Sequence, residues 1–195
     1  MARPLAVAIT GGIGAGKSEA LAAFRRHGAA TVSSDEIVHR LLGEDEDVRG
    51  QLRERFGDRV FDDIGQVDRG AIARLVFADR EQLDWLEGLL HPRVAQEYLD
   101  WREALGRLPN PPQVAVTEVP LLYEVGGDER FDKVVVITAP AELRAERSEA
   151  AGELREARLI ADDEKAERAD FVYVNDGSLE ELDEFVAGVM QALSQ

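Results

Sequence analysis

The stretch Gly11-Gly-Ile-Gly-Ala-Gly-Lys17-Ser18 decides how the rest of the chain reads. It fits G-x-x-x-x-G-K-[ST] at every position, follows the apolar run Leu5 to Thr10, and leads into a helical pattern from Glu19 to His27. Strand, glycine loop and helix in that order are what a phosphate cradle needs. Glycines let successive backbone N–H groups converge on one anion at a helix N-terminus. Gly12, Ile13, Gly14, Ala15 and Gly16 would line the cradle, Lys17 would reach the β- and γ-phosphates of a nucleoside triphosphate, and the Ser18 hydroxyl would sit on Mg²⁺.

Working outward, four more short apolar runs resemble Leu5 to Thr10: Ala29 to Ser33, Gln113 to Thr117, Val134 to Thr138 and Phe171 to Asn175. Their nearly continuous apolar character predicts strands buried on both faces of a parallel sheet. Helical patterns separate them. Gly28 marks the end of the first, Pro140 opens a charged amphipathic stretch, and Ser178 with Glu181 forms a capping box for the last. This alternation predicts an α/β fold: a doubly wound, five-stranded parallel sheet of the P-loop NTPase kind. Between the second and third strands lie about eighty residues, far more than a crossover needs. They read as helices over Val48 to Phe56, Arg69 to Ala78, Glu81 to His91 and Arg93 to Leu108, the last two joined by Pro92. The predicted organisation is a core of residues 1–35 and 113–195 with a helical insertion over 36–112.

Composition narrows the functional classes. The 195 residues are 45% hydrophobic and 32% charged, a soluble globular balance. No run reaches the roughly eighteen apolar residues of a membrane span, and the first apolar run is too short for a signal peptide. The expected location is therefore cytoplasmic, with no membrane partner. The absence of cysteine removes disulfides, thiolate metal sites and a cysteine nucleophile. With 23 Lys and Arg against 39 Asp and Glu, the net charge is −16, so a nucleic-acid backbone would be repelled. An anionic ligand must be held by a local device. No Asn-Lys-x-Asp guanine motif is present; Val174-Asn-Asp-Gly177 lacks the lysine. A compact P-loop chain with a helical insertion suggests a small-molecule kinase, and the pattern assigns no oligomeric state.

Several residues bear on the acceptor. Asp35 follows the second strand, where α/β sheets bind ligands, and would either accept the proton of an attacking hydroxyl or, with Ser34, cap the next helix. Glu118 ends the third strand as a Mg²⁺ or ribose contact, or as a solvated strand end. His91 reads as a substrate contact or as a structural histidine.

Taken in order, Ile9 to Ser18, Ser34-Asp35, Asp68-Arg69 leading to Leu75-Val-Phe77, Leu90-His-Pro92, Glu118-Val-Pro-Leu-Leu-Tyr-Glu124, and Glu164-Lys165 to Ala169-Asp170 before Asn175 resemble the dephospho-coenzyme A kinase family nearly end to end. The resemblance implies a core sheet, a helical substrate domain over 36–112 receiving coenzyme A, and a short lid near 144–163 over ATP. It also implies transfer of the ATP γ-phosphoryl to the ribose 3′-hydroxyl of dephospho-coenzyme A with Mg²⁺, the last step of coenzyme A biosynthesis. Carried over, Gly12 to Ser18 would bind ATP, with Lys17 and Asp35 catalytic and Ser18 on the metal. Arg69 and His91 would shape the acceptor pocket, Glu118 would sit beside the phosphates, and Arg144 and Arg147 would begin the lid.

Three positions depart from the family pattern. Ser33 stands where the family usually has the first aspartate of Asp-x-Asp, so Asp35 must supply any general base; such help is worth about 10²–10⁴-fold. Glu19 stands where a phosphate-contacting threonine is common. The lid is short, with Ala151 or Gly152 in place of an arginine, unless Arg155 or Arg158 replaces it. These departures motivate a rival reading, a nucleotide- or coenzyme A-binding protein of the same fold that transfers phosphate poorly. A kinase for another nucleoside-like acceptor is the third.

Overall fold

The structure, a computed structural model, describes residues 3–147 and 160–194. Its five strands are β1 (Leu5–Thr10), β2 (Ala30–Ser33), β3 (Val114–Glu118), β4 (Lys133–Thr138) and β5 (Phe171–Val174). They form one sheet in the order β2-β3-β1-β4-β5, every neighbouring pair parallel. The expected doubly wound, five-stranded parallel sheet is therefore the observed one. Side chains alternate between two layers, as a period of two requires. Val7 and Ile9 of β1, Val135 and Ile137 of β4, and Val114 and Val116 of β3 face a core shared with Ala20 and Phe24 of α1 (Lys17–Arg26) and Leu182, Val186 and Val189 of the C-terminal helix, Leu179–Leu193. Ala8, Val134 and Val136 face the other way, onto Leu122 and Tyr123.

The edge strand differs from expectation. Val172 is 41% and Val174 51% exposed among the described residues, so β5 is not covered on both faces there. On the opposite face of β5, Tyr173 stacks on Phe185 at 4.8 Å between ring centroids.

The chain divides into two compact units, Met1–Ser34 with Arg102–Gln195, and Asp35–Trp101. The second is helical: α2 (Ser34–Glu44), α3 (Glu46–Phe56), α4 (Arg69–Ala78) and most of α5 (Arg80–Gly106). Its starts are set by side chains that accept from otherwise orphaned N–H groups, Asp45 from Val48 N and Asp68 from Ala71 N, each at 3.0 Å. Where two helices joined by Pro92 were expected, a single α5 runs through it. Pro92 has no N–H for the Gly88 carbonyl one turn back, but Gly88 is exposed with open space around it, so water can serve that carbonyl. Among the described residues the first unit also holds α6 (Ala141–Arg147), α7 (Asp162–Glu167) and α8 (Leu179–Leu193).

The α8 capping box is complete: Ser178 Oγ accepts from Glu181 N at 3.2 Å and the Glu181 carboxylate accepts from Ser178 N at 2.7 Å. Ser178→Ala is expected to cost about 1 kcal/mol. In thermal unfolding that is a fall in Tm of roughly 2–4 °C for a chain of this size.

Candidate active site

The loop between β1 and α1 is shaped by positions where no side chain fits. Gly11 has φ 141°, and a Cβ built on it would lie 1.9 Å from the Ile137 carbonyl oxygen of β4. Gly14 (φ 74°) and Gly16 (φ 93°) take left-handed conformations that an L side chain rarely adopts. Gly16 begins α1 without a side-chain cap. The first-turn N–H groups of α1 are thus left to an external acceptor at the positive end of the helix dipole. Lys17 is buried inside the loop and donates to the carbonyls of Gly11 at 3.1 Å and Gly12 at 2.9 Å. Ile13 and Ala15 complete the turn, Ala15 N donating to Gly12 O at 3.3 Å.

Across the carboxyl ends of the strands, Ser18 Oγ donates to Glu118 Oε2 at 3.4 Å, and Glu118 is buried. Glu118 lies in register with Ile9 on one side and Ser33 on the other, so Ser33 shares its face of the sheet. The two oxygen donors Ser18 and Glu118 suit a hard cation. Among the described residues no group of three or more His, Asp or Glu could hold a metal ion by itself, so phosphate oxygens would have to complete such a site. Glu19 is exposed on the first turn of α1. Further along the same segment, burial pushes the Tyr123 phenol up, while the Arg168 guanidinium, 4.1 Å over its ring, acts in the opposite sense.

Arg144 and Arg147 approach the loop from α6. A Cβ on Gly12 would lie 2.6 Å from Arg144 Nη1, and one on Gly14 would lie 2.7 Å from the Arg144 carbonyl oxygen. Arg144 Nε is buried without a hydrogen-bond partner among the described residues, an unused donor beside the loop. Arg147 donates to the Asn175 carbonyl at 3.3 Å. Asn175 was not marked as a site residue by the sequence, yet its Nδ2 donates to Ala15 O at 2.9 Å and its N–H to Thr138 O at 2.7 Å. The one signal for it was its place at the carboxyl end of a strand. Asp162 was missed too; its carboxylate is 3.5 Å from Arg144 Nη1. Arg155, Arg158, Ala151 and Gly152 lie outside the described residues.

In the helical unit, Asp35 is exposed in the first turn of α2. One turn on, His39 Nδ1 accepts from Arg69 Nη1 at 3.0 Å. A guanidinium only donates, so His39 Nδ1 is the accepting atom of this bond. The arrangement draws Arg69 to the helix that carries Asp35. His91 is exposed on α5, with no hydrogen bond or ion pair among the described residues, so nothing draws it to Arg69.

A triphosphate is the ligand such a loop fits, and on a five-stranded parallel sheet it defines the P-loop kinases as a class. Comparison with known proteins narrows this. The family model described as dephospho-CoA kinase matches residues 5–181. A dephospho-CoA kinase of Protochlamydia amoebophila is 36% identical over 198 residues, covering 96% of this chain and 95% of its own. Among solved structures, a Thermus thermophilus protein superposes with TM-score 0.78 at 34% identity, covering 99% of this chain and 100% of its own. A dephospho-CoA kinase from Campylobacter jejuni gives TM-score 0.69 at 27% identity, with 98% of each chain covered. The chain belongs to the dephospho-CoA kinase family.

Gly16→Ala would add a Cβ 2.2 Å from Asn175 Nδ2 at a left-handed φ. The expected result is a folded protein whose melting temperature no longer rises with ATP, since the loop must leave its present path.

Proposed function

We propose that this chain is an ATP-dependent kinase that phosphorylates dephospho-coenzyme A on its ribose 3′-hydroxyl, producing coenzyme A and ADP. The single observation behind the reading is the glycine loop with Lys17 inside it, in a chain whose family model spans residues 5–181. In this reading the backbone N–H groups of residues 12–18 cradle the phosphates, and Lys17 exchanges its two loop carbonyls for β- and γ-phosphate oxygens. Arg144 and Arg147 add positive charge, Arg144 with its Nε donor unused among the described residues. Asp35 takes the proton of the 3′-hydroxyl as its oxygen attacks the γ-phosphorus, and the bond to the β-phosphate oxygen breaks to release ADP. Arg69 and His91 receive parts of the acceptor. Phosphoryl transfer is mostly positioning and charge stabilisation, so these groups suffice.

Ser18 Oγ and Glu118, the latter directly or through water, would hold Mg²⁺. The ion supplies charge neutralisation at the phosphates. Their spacing and oxygen chemistry support that assignment. No helix among the described residues is long and apolar enough to cross a membrane, which fits the proposed cytoplasmic location.

Incubation with Mg²⁺, ATP and dephospho-coenzyme A should release ADP and add one phosphoryl mass to the acceptor. Lys17→Ala should lower kcat by about 10²-fold or more. Full turnover in that variant would refute the site; binding of coenzyme A by the unaltered protein without ADP release would favour the binding-protein reading. Ser33→Asp places a carboxylate beside Glu118 on the same face of the sheet. With Asp35 taking the proton, kcat is expected to change little; a rise toward the roughly 10²–10⁴-fold that a general base provides would show that Asp35 does that work poorly. An unchanged kcat would mean that Asp35 already does this work.

A further inference from the structure

Three charged side chains near the loop have no part in the reading above: Glu124, Asp162 and Lys165. Lys165 is fully buried and pairs with Glu124 Oε1 at 2.8 Å. The same oxygen accepts from Ile160 N at 3.0 Å. Removing one partner of such a pair would strand a buried charge, so the pair fixes the start of α7 firmly to the segment after β3. Asp162 lies one turn before Lys165 on α7, and its carboxylate oxygens would lie 3.1 and 3.3 Å from a Cβ on Gly12. That places it where Arg144 Nη1 also meets the loop.

Asp162 is the ion-pair partner of Arg144 among the described residues, at 3.5 Å. This is longer than the roughly 2.7–2.9 Å of a charge-assisted hydrogen bond, so the carboxylate holds the guanidinium in place without using up its donors. A free arginine must give up much rotamer freedom when it meets a phosphate, and holding it beforehand removes part of that cost. We propose that Asp162 is a positioning residue for phosphoryl transfer: from the frame fixed by Glu124 and Lys165, it keeps Arg144 against Gly12, so that Arg144 meets the triphosphate already oriented. This rests on the reading that Arg144 contacts the phosphates.

The test measures KM and kcat for ATP, and Kd for ADP by calorimetry, in Asp162→Asn, Asp162→Glu, Arg144→Ala and the Asp162→Asn/Arg144→Ala double variant. Asp162→Asn is expected to raise ATP KM and ADP Kd about fivefold, with kcat within about twofold of the unaltered protein. Asp162→Glu should recover most of the loss, and Asp162→Asn should add nothing once Arg144 is absent. Tighter nucleotide binding in Asp162→Asn would overturn the proposal, since the carboxylate would then oppose the phosphates. So would a lower melting temperature with unchanged KM, or an equal effect with and without Arg144. If Arg144→Ala alone leaves KM and Kd unchanged, the assignment of Arg144 to ATP fails first, and this proposal with it.

Discussion

The site depends on one close approach. Gly11 runs so near the end of β4 that a single added carbon would stand 1.9 Å from the Ile137 carbonyl oxygen. Only a backbone without a side chain can turn there from the central strand into α1, and that turn aims the helix N-terminus at the carboxyl edge of the sheet. Asn175 then closes the loop from the far side by donating to Ala15 O, while β3 brings Glu118 to Ser18. Each contact has meaning only because the loop lies in that one path.

An acidic protein that handles polyphosphate faces an unfavourable long-range field. With a net charge of −16, attraction cannot come from the molecule as a whole. Among the described residues, cations come close to the loop one by one: Lys17 within it, Arg144 against Gly12, and Arg147 on Asn175. Backbone N–H groups carry no net charge and cost nothing in the global balance, so a main-chain cradle fits such a surface well. Of the acidic side chains near it, Asp162 is paired with Arg144, and Glu19 is exposed.

The sheet was legible because strands buried on both faces read as unbroken apolar runs, and the loop because its glycines and lysine sit at a fixed spacing. What was hidden depended on partners far along the chain. Asn175 meets Ala15 across 160 residues, and no local pattern announces such a contact. Asp162 looked like one more charge in an acidic run, and only its neighbours Arg144 and Gly12 distinguish it. The continuity of α5 was obscured because proline ordinarily ends a helix; the exposed Gly88 one turn earlier is what relieves it.

Strand order has a temporal side. β1 is made first, yet it lies in the middle of the sheet, paired with Leu5 opposite Val114 and Val7 opposite Lys133. A chain emerging from the ribosome therefore exposes this apolar strand and its finished glycine motif long before either flanking strand exists. Such long-range parallel pairing is slow, and the unpaired strand is vulnerable to aggregation while it waits. The nascent chain has the cradle in its sequence but not in space: the Ile137 carbonyl that bounds Gly11 arrives only once β4 has been synthesised and docked.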